Sequence, residues 1–212
     1  MLTPSRRTVI ALAIFLGQSA MLGMRGPAAA DDQNIAQVLR AGGLVIVLRH
    51  GATVPDQADT DPLNFDNIAA QRNLNDSGKA LAKAFGDALR QARVPVGKVY
   101  TSKYNRAYET AVIAGFVDIE KTADITEGGL VVSPNENNRR IEAFRKMLAT
   151  PPQSGTNTIL ITHKPNIVDA LGKDWFVVKE GEASLFRPEN GSYTPVARIQ
   201  MDEWPRIAVA AQ

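Results

Sequence analysis

Leu44-Val45-Ile46-Val47-Leu48 is an unbroken aliphatic run, and Thr158-Ile159-Leu160-Ile161-Thr162 repeats the pattern more than a hundred positions later. Runs this short, with no polar alternation, predict strands buried on both faces. Between them the period changes. Ala80, Leu81, Ala84, Phe85, Ala88 and Leu89 form one apolar stripe, which predicts a helix from Asp76 or Ser77 to about Arg93. A strand follows over Lys98–Thr101, then a helix from Asn105 to Ala114 that Gly115 stops. Ala123–Ile125 reads as a short strand, and Asn137–Ala149 as a helix ended by Thr150-Pro151-Pro152. Asn34–Ala41 and Asn166–Leu171 are short helices. Ala183–Arg187 and Thr194–Ile199 alternate in polarity around Asn190-Gly191, a hairpin signal. Ala52–Gln71 is polar, with prolines and several aspartates. It is a long loop, and long loops in compact domains are usually functional. Glu127–Asn135 is a second loop. No internal repeat and no interdomain linker is visible.

Strands that alternate with helices predict an α/β domain with a mainly parallel sheet, and the terminal hairpin adds antiparallel strands. Sites in such sheets lie at the carboxyl ends of strands. Three segments are therefore expected together: Arg49-His50-Gly51, Ser102–Arg106 and His163.

The front of the chain has a different character. Arg6-Arg7 precede an apolar run, Thr8–Met24, and Ala28-Ala29-Ala30 precede Asp31-Asp32. That order of basic, apolar and small residues is that of a secretory signal, with cleavage expected after Ala30. Residues 1–30 are thus the signal peptide and 31–212 the functional domain. The apolar run is short for a membrane anchor. Ser5-Arg6-Arg7-Thr8-Val9-Ile10 also resembles a twin-arginine export signal. The expected location is periplasmic or secreted, with no stable membrane anchor once the signal is removed.

Export changes the charge argument. The full chain carries 24 basic and 22 acidic side chains, net +2, but the first thirty residues hold three arginines and no acid. The mature chain is close to neutral at −1, so nothing in its global charge suggests a nucleic-acid partner. There is no cysteine. Disulfides, thiolate metal sites, a cysteine nucleophile and a lipid-modified cysteine are all excluded, and the core alone must hold the domain.

The chain has two histidines, His50 and His163, each directly after a buried strand. Arg49 stands beside one, and Arg106 opens a helix after the middle strand. Two guanidinium forks and two imidazoles on one spot make an oxyanion site, and helix N-termini beside it add attraction for anions. Arg-His-Gly alone would occur by chance in about 1% of chains of this length; the combination carries the argument. Metal ligation is the rival chemistry, but no His-x-His or His-x-x-x-His spacing is present.

Leu48-Arg49-His50-Gly51-Ala52-Thr53 resembles the Arg-His-Gly signature of the histidine phosphatase superfamily. Gln71–Gly78 is similar to the family's segment before its first long helix, and Tyr100–Ala111 to its Ser-x-x-x-Arg-Ala-x-x-Thr-Ala segment. Ile159–His163 resembles the strand that delivers the second histidine. The resemblance spans nearly the whole mature chain. It implies a phosphoglycerate-mutase-like fold, a three-layer α/β sandwich with a mainly parallel central sheet. It also implies that His50 attacks phosphorus and that Arg49, Arg106 and His163 bind the phosphate oxygens. No metal and no cofactor are expected.

The proton donor is the least defined part. In the family's mutase-like branch it is a glutamate soon after the third strand, and Glu127 stands nearest to that place. Glu136 and Glu182 are the next candidates. The superfamily's other branch has an Asp directly after the second histidine, where this chain has Lys164-Pro165. Lys103 and Lys164 add positive potential, Tyr104 is a candidate substrate contact, Tyr108 is expected to pack on the sheet with substrate contact as its alternative, and Asn166 is expected to cap the helix it begins, with orienting His163 as its alternative. Trp175 and Trp204 read as packing. The expected function is an exported phosphatase acting on a phosphomonoester or phosphohistidine. Its partner would be a small phosphorylated substrate or a phosphorylated glycan. The alternative is a catalytically silent phosphate- or phosphoglycan-binding module of the same fold. Export and the lack of large insertions speak against a phosphomutase.

Overall fold

A computed structural model describes residues 27–129 and 131–211. The expected signal peptide lies, up to residue 26, outside the described residues. Among the described residues no helix is long and apolar enough to cross a membrane.

Six strands form one sheet in the order β3-β2-β4-β1-β5-β6. They are β1 (Val45–Arg49), β2 (Val96–Ser102), β3 (Ile119–Thr122), β4 (Asn157–Thr162), β5 (Ala183–Glu189) and β6 (Ser192–Ile199). The first four are mutually parallel, β5 pairs antiparallel with β1, and β6 pairs antiparallel with β5. This is the mainly parallel α/β sheet that the alternating pattern implies. Asn190 (φ 51°) and Gly191 (φ 78°) take the left-handed conformations of a type I′ hairpin turn.

Helices cover both faces and explain the absence of polar alternation in β1. Its Ile46 and Leu48 enter one core with α1 (Pro27–Ala41), α2 (Asp76–Gln91), α3 (Asn105–Ile113) and α6 (Trp204–Ala210). Its Val45 and Val47 enter the other, with α4 (Pro134–Ala149) and α5 (Lys164–Leu171). In the first core Phe85 is fully buried, edge-on to Trp204 at 5.0 Å and Phe116 at 6.4 Å. Truncating such a ring costs about 3–5 kcal/mol, so this cluster anchors α2 and α6 to the sheet.

Several boundaries differ from the sequence expectation. Ala123–Ile125 is a 3-10 turn, because the Thr122 side chain accepts from the Asp124 N–H and turns the chain out of the sheet. The strand is instead Ile119–Thr122, a partly exposed edge. The N-cap of α2 is Asn75, whose side chain accepts from Gly78 N at 2.8 Å. Helix α4 begins earlier, at Pro134, capped by Ser133. Asn166 does not cap α5. It lies inside that helix with its Oδ1 buried and without a partner. Helix α6 was not anticipated, since its period is short and begins at Trp204-Pro205. Helix α1 runs across the expected cleavage point after Ala30.

One close approach fixes the entrance to the site. A Cβ on Gly51 would lie 2.7 Å from the Gly78 carbonyl oxygen, and one on Gly78 would lie 2.1 Å from that of Ala52. The start of α2 can therefore press against the segment after His50 only because both residues are glycine. Asn75 ties the same contact, donating to Thr53 O at 3.1 Å.

Candidate active site

The parallel ladder carries His50 to its last rung, where its N–H donates to Thr162 O at 3.1 Å. His50 is buried, and its Nδ1 lies 2.8 Å from Gly51 O. A carbonyl only accepts, so Nδ1 carries the proton and Nε2 keeps its lone pair. Burial, the nearby Arg106 charge and, further, Arg49 and Arg72 lower its pKa to about 3, against an opposing pull from the Gly51 hydrogen bond. The ring is neutral at ordinary pH, with the proton on Nδ1 and the lone pair on Nε2.

His163 follows β4 at the start of α5 and lies edge-on to His50, with ring centroids 5.0 Å apart. Its Nδ1 accepts from Arg106 Nε at 3.3 Å, so its Nε2–H donates to Ser102 Oγ at 2.6 Å. Ser102 Oγ also accepts from Tyr104 N at 3.1 Å. Burial first, then Arg106 and His50, hold the His163 pKa well below its usual range.

Arg106 is fully buried near the start of α3, with its guanidinium 4.2 Å from the centre of the Tyr104 ring. A buried cation must be paired, and every nitrogen of this one is engaged. Nη1 donates to Asp59 Oδ1 at 2.9 Å and to Arg72 O at 3.3 Å, and Nη2 pairs with Glu127. Glu127 Oε1 is also 3.6 Å from His163 Nδ1. Arg49 leaves the end of β1 and donates from Nη1 to Val178 O at 2.8 Å and from Nη2 to Glu180 at 3.3 Å. Its charge acts on both histidines.

The structure thus gathers Arg49, His50, Arg106, His163 and Glu127 around one point. It does not bring the other two carboxylates there. Glu136 sits in the first turn of α4, paired with Arg139 Nε and Arg140 Nε at 2.8 Å each, which pull its pKa down to about 2. Glu182 is buried and saturated by Arg198 at 2.5 Å, Gln200 Nε2 at 2.7 Å and Lys179 N at 3.1 Å.

Four residues join the site beyond those given a role in the sequence. Arg72 depresses the pKa of both histidines, and its Nε, like that of Arg49, is buried with no partner. Unpaired buried donors cost about 1–3 kcal/mol each, and two such donors beside His50 fit an anion. Arg72 stands inside the Gln71–Gly78 segment, so the signal was present but attached to no role. Asp59 bridges Arg106 Nη1 and Arg72 N, both at 2.9 Å. Ser102 orients His163, and buried Gln71 accepts from Asn105 N at 2.7 Å, tying the long loop to the start of α3.

Among the described residues no group of three or more His, Asp or Glu is disposed to hold a metal ion. A recess of about 510 Å³ between Tyr100, Thr158 and α4 contains none of these site residues.

Residues 45–130 match the family model described as histidine phosphatase superfamily (branch 1). No curated protein sequence matches the chain. Among solved structures it is similar to the protein histidine phosphatase SixA complexed with tungstate, at 17% identity over 76% of this chain and 98% of that chain, TM-score 0.52. It is also similar to a putative α-ribazole-5′-P phosphatase from Escherichia coli K-12, at 15% identity over 76% and 98%, TM-score 0.54. A mycobacterial glucosyl-3-phosphoglycerate phosphatase in complex with VO3 matches at 15% identity over 74% and 98%, TM-score 0.52. At these identities the likeness is one of fold.

Proposed function

We propose that this chain, whose residues 45–130 belong to the histidine phosphatase superfamily (branch 1), is an exported phosphatase that hydrolyses a phosphomonoester or phosphohistidine through a phosphohistidine on His50. The observation that carries the reading is the bare Nε2 of His50, fixed by the bond from Nδ1 to Gly51 O among the charges of Arg49, Arg72 and Arg106. The tungstate and VO3 in two structural neighbours are oxyanions of the kind such a pocket would hold. Export rests on the residue 1–30 pattern of basic, apolar and small residues.

The proposed reaction runs in two steps. Arg49, Arg72 and Arg106 take the non-bridging oxygens of the phosphate, and His163 completes the cradle. The lone pair of His50 Nε2 forms the N–P bond as the P–O bond to the leaving group breaks. Glu127 takes the proton of the phosphate monoanion that displaces it from Arg106 and gives it to the departing oxygen. The same carboxylate then takes a proton from water as that water attacks phosphorus. The N–P bond breaks, and inorganic phosphate leaves with His50 restored. Phosphate oxygens would displace Glu127 from Arg106, which frees the carboxyl for the leaving group at the moment it is needed. Transition-state charge on the equatorial oxygens is met by buried, preorganised guanidiniums.

The test is His50→Ala. Turnover of phosphoesters should be abolished while the protein stays folded, and wild type quenched under conditions that spare acid-labile phosphate should carry phosphate on histidine. Activity within about tenfold of wild type, a barrier change of only ~1.4 kcal/mol, would sink the mechanism.

A further inference from the structure

The long polar loop, residues 52–71, supplies no reacting group in the proposed mechanism, yet it is built into the site. Three consecutive residues at the start of α3 hold it. Tyr104 OH donates to Pro62 O at 3.2 Å, Asn105 N to Gln71 Oε1 at 2.7 Å, and Arg106 Nη1 to Asp59 Oδ1 at 2.9 Å. The loop also closes on itself, with Thr60 N donating to Ala70 O and Gln71 Nε2 to Phe65 O, both at 2.8 Å. Residues 55–58 and Thr60 are exposed, whereas Asp59 between them is half-buried against Arg106.

Asp59 and Glu127 share one guanidinium, but they are held differently. Asp59 Oδ1 accepts a second bond from Arg72 N at 2.9 Å, and Arg72 O accepts from Arg106 Nη1 at 3.3 Å. Asp59, Arg106 and Arg72 thus close a ring. Releasing Asp59 would break two bonds to its charge and leave Nη1 of a fully buried cation with one long contact. Glu127 makes a single hydrogen bond among the described residues, at Nη2, and its next polar neighbour is His163 Nδ1 at 3.6 Å. Arg106 Nε is committed to His163 and Nη1 to the ring. Nη2 is therefore the position whose partner is least costly to exchange.

We infer that Asp59 is a positioning residue: it stays on Arg106 as a fixed counterion while phosphate replaces Glu127, and it sets Arg106 and Arg72 in one orientation toward the phosphate oxygens. The inference rests on the phosphatase reading, because phosphate must be seated on Arg106. The long loop is then the mount that brings Asp59 to a helix 47 positions away.

The test compares Asp59→Asn with Asp59→Ala, beside wild type, by calorimetric titration with inorganic phosphate. Both variants lose the same charge, and only asparagine keeps an oxygen that accepts from Arg72 N and Arg106 Nη1. Asp59→Ala should bind phosphate at least about tenfold more weakly than Asp59→Asn, the scale of a lost hydrogen bond to a charged group. Glu127→Gln should bind it more tightly than wild type, because the competing carboxylate is gone. A residue that only anchored the loop would lower the urea midpoint of Asp59→Ala and leave the phosphate affinity of its folded form equal to that of Asp59→Asn. Equal affinity in the two variants, stronger binding in Asp59→Ala, or no tightening in Glu127→Gln would overturn the inference. If Asp59→Ala does not fold, Asp59→Ser makes the same comparison, since its hydroxyl stops one atom short of Oδ1. Wild-type protein that neither binds phosphate nor hydrolyses a phosphoester would overturn the phosphatase reading and this inference together. Wild type that binds phosphate while the two variants match would overturn the role of Asp59 alone.

Discussion

Acid should weaken this fold through one of its buried histidines. His50 is 3% exposed, and its pKa falls from the ordinary 6.5 to about 3. In the unfolded chain it gains a proton as pH drops below 6.5; in the folded protein it stays neutral until about pH 3. The unfolded state therefore binds more protons throughout that window, and stability falls as pH falls. Each unit of separation is worth 1.36 kcal/mol, so the full window amounts to about 5 kcal/mol. Between pH 7 and pH 5 the loss attributable to His50 is about 2 kcal/mol, a large share of a typical domain's 5–15 kcal/mol. His50→Asn removes the titration and keeps a polar side chain of similar reach. Urea unfolding at pH 7, 6 and 5 should show the variant gaining about 2 kcal/mol on wild type across the series, whatever its starting stability. His163, also depressed, leaves a residual slope in both proteins. Parallel curves for wild type and variant would show that His50 titrates alike in both states, and the argument for a neutral, buried His50 would fail.

The proton donor is tested by leaving group: Glu127→Gln should slow an alkyl or sugar phosphate by about 10²–10⁴-fold and p-nitrophenyl phosphate far less, measured as kcat on each. Glu136→Gln and Glu182→Gln should not show that dependence on leaving group, because Arg139, Arg140 and Arg198 hold those carboxylates; equal small losses from Glu127→Gln on both substrates would remove it as the acid. Gly78→Ala should destabilise by about 1–3 kcal/mol, read from thermal unfolding, since its Cβ would meet the Ala52 carbonyl oxygen at 2.1 Å; a neutral effect would mean the contact relaxes freely. Protein recovered from cells should begin at or near Asp31, and replacing Arg6 and Arg7 by lysine should block export only if the twin-arginine route is used. Intact Met1 on a soluble cytoplasmic form would refute export.

Legibility followed burial. β1 and β4 lie inside the sheet with helices on both faces, so their sequences are continuous apolar runs, and the polar residues that end them, Arg49-His50 and His163, stand out. The strand at the parallel edge gave no such contrast. Ile119-Glu120-Lys121-Thr122 is partly exposed, and the more apolar Ala123–Ile125 drew attention away from it. Asp59 was invisible for a different reason. Nothing local distinguishes it from Asp56, Asp61 or Asp66, and its role comes from partners 13 and 47 positions away. Glu127 could be placed only through family resemblance, since a carboxylate in a loop has no period to announce it.

The pairing of Arg106 with both Asp59 and Glu127 sets how the site changes hands. In the proposed reaction an incoming phosphate meets an occupied guanidinium, so its arrival is a substitution of one anion for another. Departure is the same exchange in reverse, with the displaced carboxylate returning to evict the product. Such a tethered competitor has a high local concentration that never dilutes. It would keep free phosphate from clogging the pocket, and it would do so equally well in a compartment whose salt the cell does not control.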